Sequence, residues 1–449
     1  MPTAAASGPA AMLLAMSDPV ADLLAYIDRS PTPYHAVAES VSRLAAAGFR
    51  EAPEAELWEL APGDRRYVVR SEGSLFAFQM GAVSPADGGF HIVGAHTDSP
   101  NLRLKPLADV TAHGYRQLAV EPYGAALLHT WLDRDLSLAG RVTLREAETL
   151  RTVLVDFGRP LLRVPNLAIH LQRELRSEGL KLNPQTHLVP VAGLEEGPEL
   201  RDLVASELRA QGLGDVAREN VLAFDLMTYD VQPAAVSGIR GEFVHAARLD
   251  NLVSCHAAVT ALTAATPSPA PPFTRAVVLY DHEEVGSRSA RGADGTLLAY
   301  GLERLVTGFQ GGEPQGLARA LARSVLVSVD MAHAVHPNYA DKHEPGHHPV
   351  IGRGPVIKRN ANQSYATEAQ TAGLFTALCG RLGLAPQHFV SHSDLGCGST
   401  IGPISAARVG VPTVDVGSPM LSMHSCREMA GAADVGPMID VLRLFLAGD

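Results

Sequence analysis

Phe90-His91-Ile92-Val93-Gly94-Ala95-His96-Thr97-Asp98 decides the fold class of this chain. Phe90 to Val93 reads as a buried β-strand, and it runs straight into a histidine and an aspartate. The pattern recurs further along. Ala276 to Tyr280 is an apolar run that ends at Asp281-His282-Glu283-Glu284, and Val325 to Val329 is another that ends at Asp330. In α/β sheets the carboxyl ends of strands are where sites collect, because loops converge there over a rigid sheet. Three strands ending in carboxylates or imidazoles therefore predict an α/β fold with one site assembled from distant segments.

Around these strands the texture changes in blocks. Ser17 or Asp18 is placed to cap a helix through about Ile27, and Thr32 to cap a second, with Tyr34, Val37, Val41 and Leu44 on one face and Gly48 as its stop. Tyr67 to Val69 and Leu75 to Met80 are short β-runs. From 100 to 245, segments such as Arg141 to Leu144 and Thr152 to Phe157 alternate with turn residues, so this stretch reads as a separate β-rich lobe. A helix after Asp250 restores the α/β rhythm, followed by a Pro-rich loop from Thr266 to Pro272. The organisation expected is a leader without fixed structure over 1–16, a first catalytic part over 17–99, the inserted lobe over 100–245, and a second catalytic part over 246–449.

Composition sets the outer bounds. A chain of 449 residues exceeds one ordinary core, and 46% hydrophobic with 19% charged residues describes a globular protein. The formal charge of -11, from 37 basic and 48 acidic residues, with no Lys/Arg-rich run, argues against nucleic-acid binding. No run of about 18 apolar residues offers a membrane span. Cys255, Cys379, Cys397 and Cys426 form no CxxC pair and fit reduced thiols in a cytoplasmic protein. The Ala-rich start, lacking a basic residue before its apolar stretch, is not a secretory signal; a mis-set start codon is the other reading.

His96 and Asp98 form an HxD pair, which makes chemical sense if His96 ligates a metal and Asp98 accepts the other imidazole N–H. Glu283 and Glu284 repel each other directly after a strand. A metal relieves that repulsion, one glutamate binding the ion while its neighbour takes a proton from water; the bland alternative is a helix N-terminus. Asp250, taken alone, is better explained as a helix cap. Asp330 fits a buried, solvated or metal-bound carboxylate equally, and a lone His424 more often has a structural role. His343, His347 and His348 read as an exposed polar loop. The absence of a G-x-S-x-G elbow, a Walker A loop or a dinucleotide fingerprint removes the main competing chemistries.

Longer motifs carry a resemblance. Ser30-Pro31-Thr32-Pro33-Tyr34-His35, Gly94 to Pro100, Thr130-Trp131-Leu132-Asp133-Arg134-Asp135-Leu136, Asn166 to Leu171, Ala247 to Asn251, Asp281 to Ser287, Asp330 to Ala334 and Met423-His424-Ser425 stand in the order seen in M18-family aminopeptidases. The resemblance spans nearly all of the chain after Ser17. It implies a mixed-sheet catalytic domain flanked by helices, with 100–245 as an inserted dimerisation domain.

By that resemblance the site holds two Zn2+ per subunit, which Co2+ or Mn2+ can replace. His96 and His424 resemble terminal ligands, Asp250 the bridging carboxylate, Glu284 and Asp330 the remaining ligands, Glu283 the general base and Asp98 the support of His96. His170 resembles a histidine that reaches a neighbouring subunit's site, in some descriptions a metal ligand. Lys358 and Tyr365 resemble residues that receive an acidic first side chain. The substrate implied is a peptide with a free N-terminus and the assembly a homo-oligomer, often a dodecamer built from dimers. Two departures touch the pocket: Tyr123-Gly124-Ala125-Ala126 replaces a glycine-richer stretch, and Ser364 stands where arginine is common. Rival readings are neutral first-residue preference, an idle assembly or cargo protein, and a metal-dependent deacylase or dipeptidase.

Overall fold

The computed structural model describes residues 18–265, 270–309 and 312–448; the expected leader and residues 266–269 of the Pro-rich loop lie outside these. At its centre is a nine-stranded sheet. Thr274–Tyr280, Phe90–His96, Val325–Val329 and Thr413–Gly417 run parallel through its middle, in an order that links distant parts of the chain. Ser74–Gln79 pairs antiparallel on one side of this group and Val356–Arg359 on the other, so the sheet is mixed.

Period-two alternation sends successive side chains to opposite faces, and both faces are covered. Val277, Leu279, Val327 and Val329 join the core beneath helices Pro19–Asp28, Pro33–Ala46, Leu249–Ala264 and Ala432–Ala447. Ala276, Val278, Tyr280 and Leu326 face the core beneath Leu297–Gly308 and Ile401–Val409. Burial on both faces explains why these strands read as continuous apolar runs. The early helices start where their caps dictate: Asp18 accepts the Val20 N–H at 3.0 Å, and Thr32 precedes Pro33 at the first helical position.

Between the first and second groups of sheet strands the chain builds a six-stranded sheet. Its order is Thr149–Asp156, Leu136–Glu146, Val221–Asp230, Asn101–Ala112, Tyr115–Tyr123, Val191–Leu194, with every pairing antiparallel. The helix Leu200–Ala210 closes its core through Leu200, Val204 and Leu208. The end of the range read as β-rich lobe belongs elsewhere: Ala235–Ser237 and Phe243–Ala246 join Glu428–Gly431, Pro419–Leu421 and Ala332–His333 in a third, five-stranded sheet. Burial of Val244 and Ala246 in the main core accounts for this, since strand pairing follows the apolar face.

Candidate metal centre

Parallel strands share a direction, so their carboxyl ends lie together. His96 is the last residue of Phe90–His96, and Asp330 directly follows Val325–Val329. Past Tyr280 the backbone turns sharply, with His282 at φ 64° and Gly286 at φ 92°, and the 3-10 turn Glu283–Val285 presents both glutamates. His424, itself at φ 67°, enters from the loop between Pro419–Leu421 and Glu428–Gly431. Asp250 does not cap the helix Leu249–Ala264, because it lies inside the first turn with non-helical backbone angles and its carboxylate faces two imidazoles.

Asp250 organises the cluster. Its Oδ1 is 3.5 Å from Nε2 of His96, whose Nε2 is also 3.3 Å from Oδ1 of Asp330. Its Oδ2 is 3.4 Å from Nε2 of His424, which is 3.3 Å from Oε2 of Glu284. Donor atoms of His96, Asp250 and Glu284 also lie within 4.8 Å of one another, the one such grouping among the described residues. The side chains of His96, Asp250 and Glu284 are almost wholly buried.

Charge makes the arrangement costly without a cation. Burial, reinforced by the charge of Asp250, pushes the Glu284 carboxyl well above its usual range. Burial and the neighbouring carboxylates raise Glu283 to about 8, against the pull of His96. Burial also tends to raise Asp250, but the two imidazoles outweigh it and hold the group down. Asp250 Oδ1 and Glu284 Oε1 are buried with no hydrogen-bond donor, and an unmatched carboxylate oxygen is expensive. The donor set fits zinc: two ligands on one tetrahedral ion at about 2.0–2.1 Å stand about 3.3 Å apart, close to the 3.3–3.5 Å separations around His96 and His424.

Asp98 differs from expectation. Nδ1 of His96 donates to the backbone carbonyl of Asp98 at 3.0 Å, while the carboxylate lies at 3.5 Å. That carboxylate instead accepts the backbone N–H groups of Glu283 and Glu284, each at 3.1 Å, and the Tyr123 hydroxyl at 2.6 Å. The short reach from His96 to Asp98 along the turn brings the carbonyl nearer than the side chain.

Lys358 is 2% exposed; its ammonium donates to Oδ2 of Asp330 and to the carbonyl of Met331, both at 3.2 Å. It lies 5.1 Å from the Tyr365 ring centre, and both residues line the cleft that holds Glu283 and the cluster. His170 is elsewhere: it sits in the exposed turn Ile169–Leu171 and does not line this cleft.

Two contributors escaped the sequence reading. Glu428, 2% exposed, accepts the N–H of Asp250 at 3.1 Å and that of His424 at 2.7 Å, so one carboxylate grips the backbone of two cluster residues. His333 projects into the cleft three residues after Asp330. Its strand-end spacing was a usable signal; Glu428 offered none beyond a glutamate in an otherwise apolar strand.

Imidazoles and carboxylates buried together at the carboxyl ends of the parallel strands define a candidate metal centre on an α/β sheet. The sequence profile described as aminopeptidase I zinc metalloprotease (M18) matches residues 26–446, and the chain belongs to that family, whose members are metallopeptidases acting on peptide N-termini. It is 48% identical over 430 residues to Probable M18 family aminopeptidase 2 of Pseudomonas entomophila, covering 95% of this chain and 97% of the relative. Among solved structures, the chain in the cryo-EM structure of the Ape4 and Nbr1 complex superposes with a TM-score of 0.92 at 38% identity, covering 96% of this chain and 86% of that one. The S. cerevisiae mApe1 dodecamer superposes with a TM-score of 0.83 at 29% identity, over 95% of both chains.

Proposed function

We propose that this aminopeptidase works through a dinuclear zinc site and prefers peptides whose first residue is Asp or Glu. The observation that carries the reading is the placement of Asp250, one oxygen towards His96 and the other towards His424. His96, Asp330 and one oxygen of Asp250 would hold one ion; His424, Glu284 and the other oxygen would hold the second. When bound, the ions supply Lewis acidity towards the scissile carbonyl and the attacking water.

Glu283 is the proton carrier. Its carboxylate lines the cleft beside the cluster, where it can take a proton from water and pass it to the leaving amine. Asp98 keeps Glu283 and Glu284 in register through their backbone N–H groups. The Lys358 ammonium, buried beside Tyr365, favours a carboxylate at the first side chain because a charge-assisted hydrogen bond in a dry pocket is strong.

The chain is further proposed to form a homo-oligomer of dimers, as large as a dodecamer, in which His170 serves the site of a neighbouring subunit. The mApe1 dodecamer supports this, as does the exposure of Leu167, Ile169 and Leu171 around His170. Four unpaired cysteines fit a reducing cytoplasm. The deciding assay uses Asp-, Glu- and Leu-p-nitroanilide with zinc, cobalt or manganese. Release from the acidic pair above Leu supports the whole reading; preference for Leu retains the enzyme and removes the selectivity; no metal-dependent release sinks the mechanism.

A further inference from the structure

Three consecutive residues at the exit of the six-stranded sheet each meet a different part of the metal centre. Tyr123 ends the strand Tyr115–Tyr123, and its hydroxyl donates to Oδ2 of Asp98 at 2.6 Å. Gly124 has φ +68°, and a Cβ there would stand 3.1 Å from Cβ of Glu284 and 3.3 Å from the Pro100 ring. The Ala125 carbonyl accepts Nδ1 of His424 at 3.2 Å, and the Leu127 N–H donates to the His424 carbonyl at 3.0 Å. The sheet supplies no proposed ligand of its own chain, yet it touches Asp98, Glu284 and His424.

We propose that Tyr123 is a positioning residue of the metal centre, and that the segment Tyr123–Ala125 ties the six-stranded sheet to both halves of the site. This rests on the reading of His96, Asp250, Glu284, Asp330 and His424 as metal ligands. The Asp98 carboxylate has three donors: two are the N–H groups of Glu283 and Glu284, and the third is Tyr123. The hydroxyl fixes the carboxylate's rotation, and the carboxylate fixes the turn that aims both glutamates. Without it, Oδ2 keeps only the Glu284 N–H and the turn is free to shift; small displacements of reacting groups are costly. On the other half, the Ala125 carbonyl selects the His424 tautomer with hydrogen on Nδ1, leaving the Nε2 lone pair towards Asp250 and Glu284. The glycine matters for space and for its positive φ, since any side chain would press on Glu284.

Tyr123→Phe removes one oxygen and keeps the ring, over which the Arg103 guanidinium lies at 3.5 Å. Zinc affinity, read by competition with a chromophoric chelator, is expected to weaken by about 10- to 100-fold, as for other groups that orient ligands. The turnover number on the best p-nitroanilide should fall with KM unchanged. A purely structural tyrosine would lower the melting temperature and leave zinc affinity alone, so a folded Tyr123→Phe with wild-type zinc affinity overturns the proposal. If that variant does not fold, Gly124→Ala takes its place: weakened zinc affinity supports the coupling and wild-type affinity overturns it. Zinc competition needs no turnover, so a wild-type protein that binds zinc but cleaves nothing refutes the proposed activity and leaves this test intact.

Discussion

Lys358 donates to Asp330 at 3.2 Å, joining a residue proposed to choose the substrate to one proposed to hold a metal. The ammonium has two jobs in one place: it offsets the charge of Asp330, and it faces the cleft beside Tyr365. Lys358→Met should reduce kcat/KM on Asp- and Glu-p-nitroanilide by on the order of 10-fold or more, as expected when one partner of a buried charge pair is removed. Leu-p-nitroanilide should lose less, since it feels only the effect through Asp330. Equal losses on all three substrates would remove Lys358 as the source of selectivity.

Glu283 has no hydrogen-bonded role in the fold through its carboxylate that a glutamine could not keep. Glu283→Gln should therefore keep the zinc content of the wild type by elemental analysis while turnover falls by about 10²- to 10⁴-fold. Metal-replete protein with wild-type turnover would show that the proton moves through another group.

Glu284 sets function against stability. Burial and Asp250 oppose its charge when no cation is present. Glu284→Gln should give a metal-free protein at least as thermostable as metal-free wild type, with a smaller rise in melting temperature on adding zinc. A variant that gains as much from zinc as wild type does would exclude Glu284 from the ligand set.

His170 and Glu283 belong to one site only if subunits share sites. Co-expressed His170→Ala and Glu283→Gln chains, each inactive alone, should recover activity approaching about a quarter of the wild-type level, the share of sites that random pairing restores. Continued inactivity of the mixture would confine His170 to its own lobe.

Outside the cleft lining, Asp22 accepts from His256 at 2.7 Å and from Arg43 at 2.7 Å. The His256 hydrogen bond leads in holding the Asp22 carboxyl well below its usual value, against the effect of burial. A depressed carboxylate contributes stability that is present above its unfolded pKa, about 3.9, and lost as pH falls through and below that range. Asp22→Asn should cost about 1.5–3 kcal/mol at pH 7 by urea unfolding, with the gap to wild type closing towards pH 3. A gap independent of pH would mean that packing, and not charge, is what the substitution disturbs.

The strands were legible because burial on both faces leaves long apolar runs, and their carboxylate or imidazole endings marked where chemistry gathers. The helix cap at Thr32 was equally plain and that of the first helix was narrowed to Ser17 or Asp18, caps being set by neighbours two or three residues away. The end of the β-rich stretch was less so: Phe243–Ala246 looks like any short strand, and only the partner it finds, Glu428–Gly431, assigns it to the third sheet. Asp98 was legible as a support of His96, but its bonds to the N–H groups of Glu283 and Glu284 were not, since they join segments 185 and 186 residues apart.

The sequence by itself determined the α/β class, the strand-end residues His96, Glu283, Glu284 and Asp330, and membership of a metallopeptidase family, because these depend on residue type and local order. Tertiary structure alone decided that Asp250 divides its two oxygens between His96 and His424, and that Glu428 and Tyr123 hold the groups behind them. Those contacts join segments up to 178 residues apart. Their geometry is set by strand pairing and by a few left-handed backbone positions, such as His282 and His424, whose conformation no local preference announces.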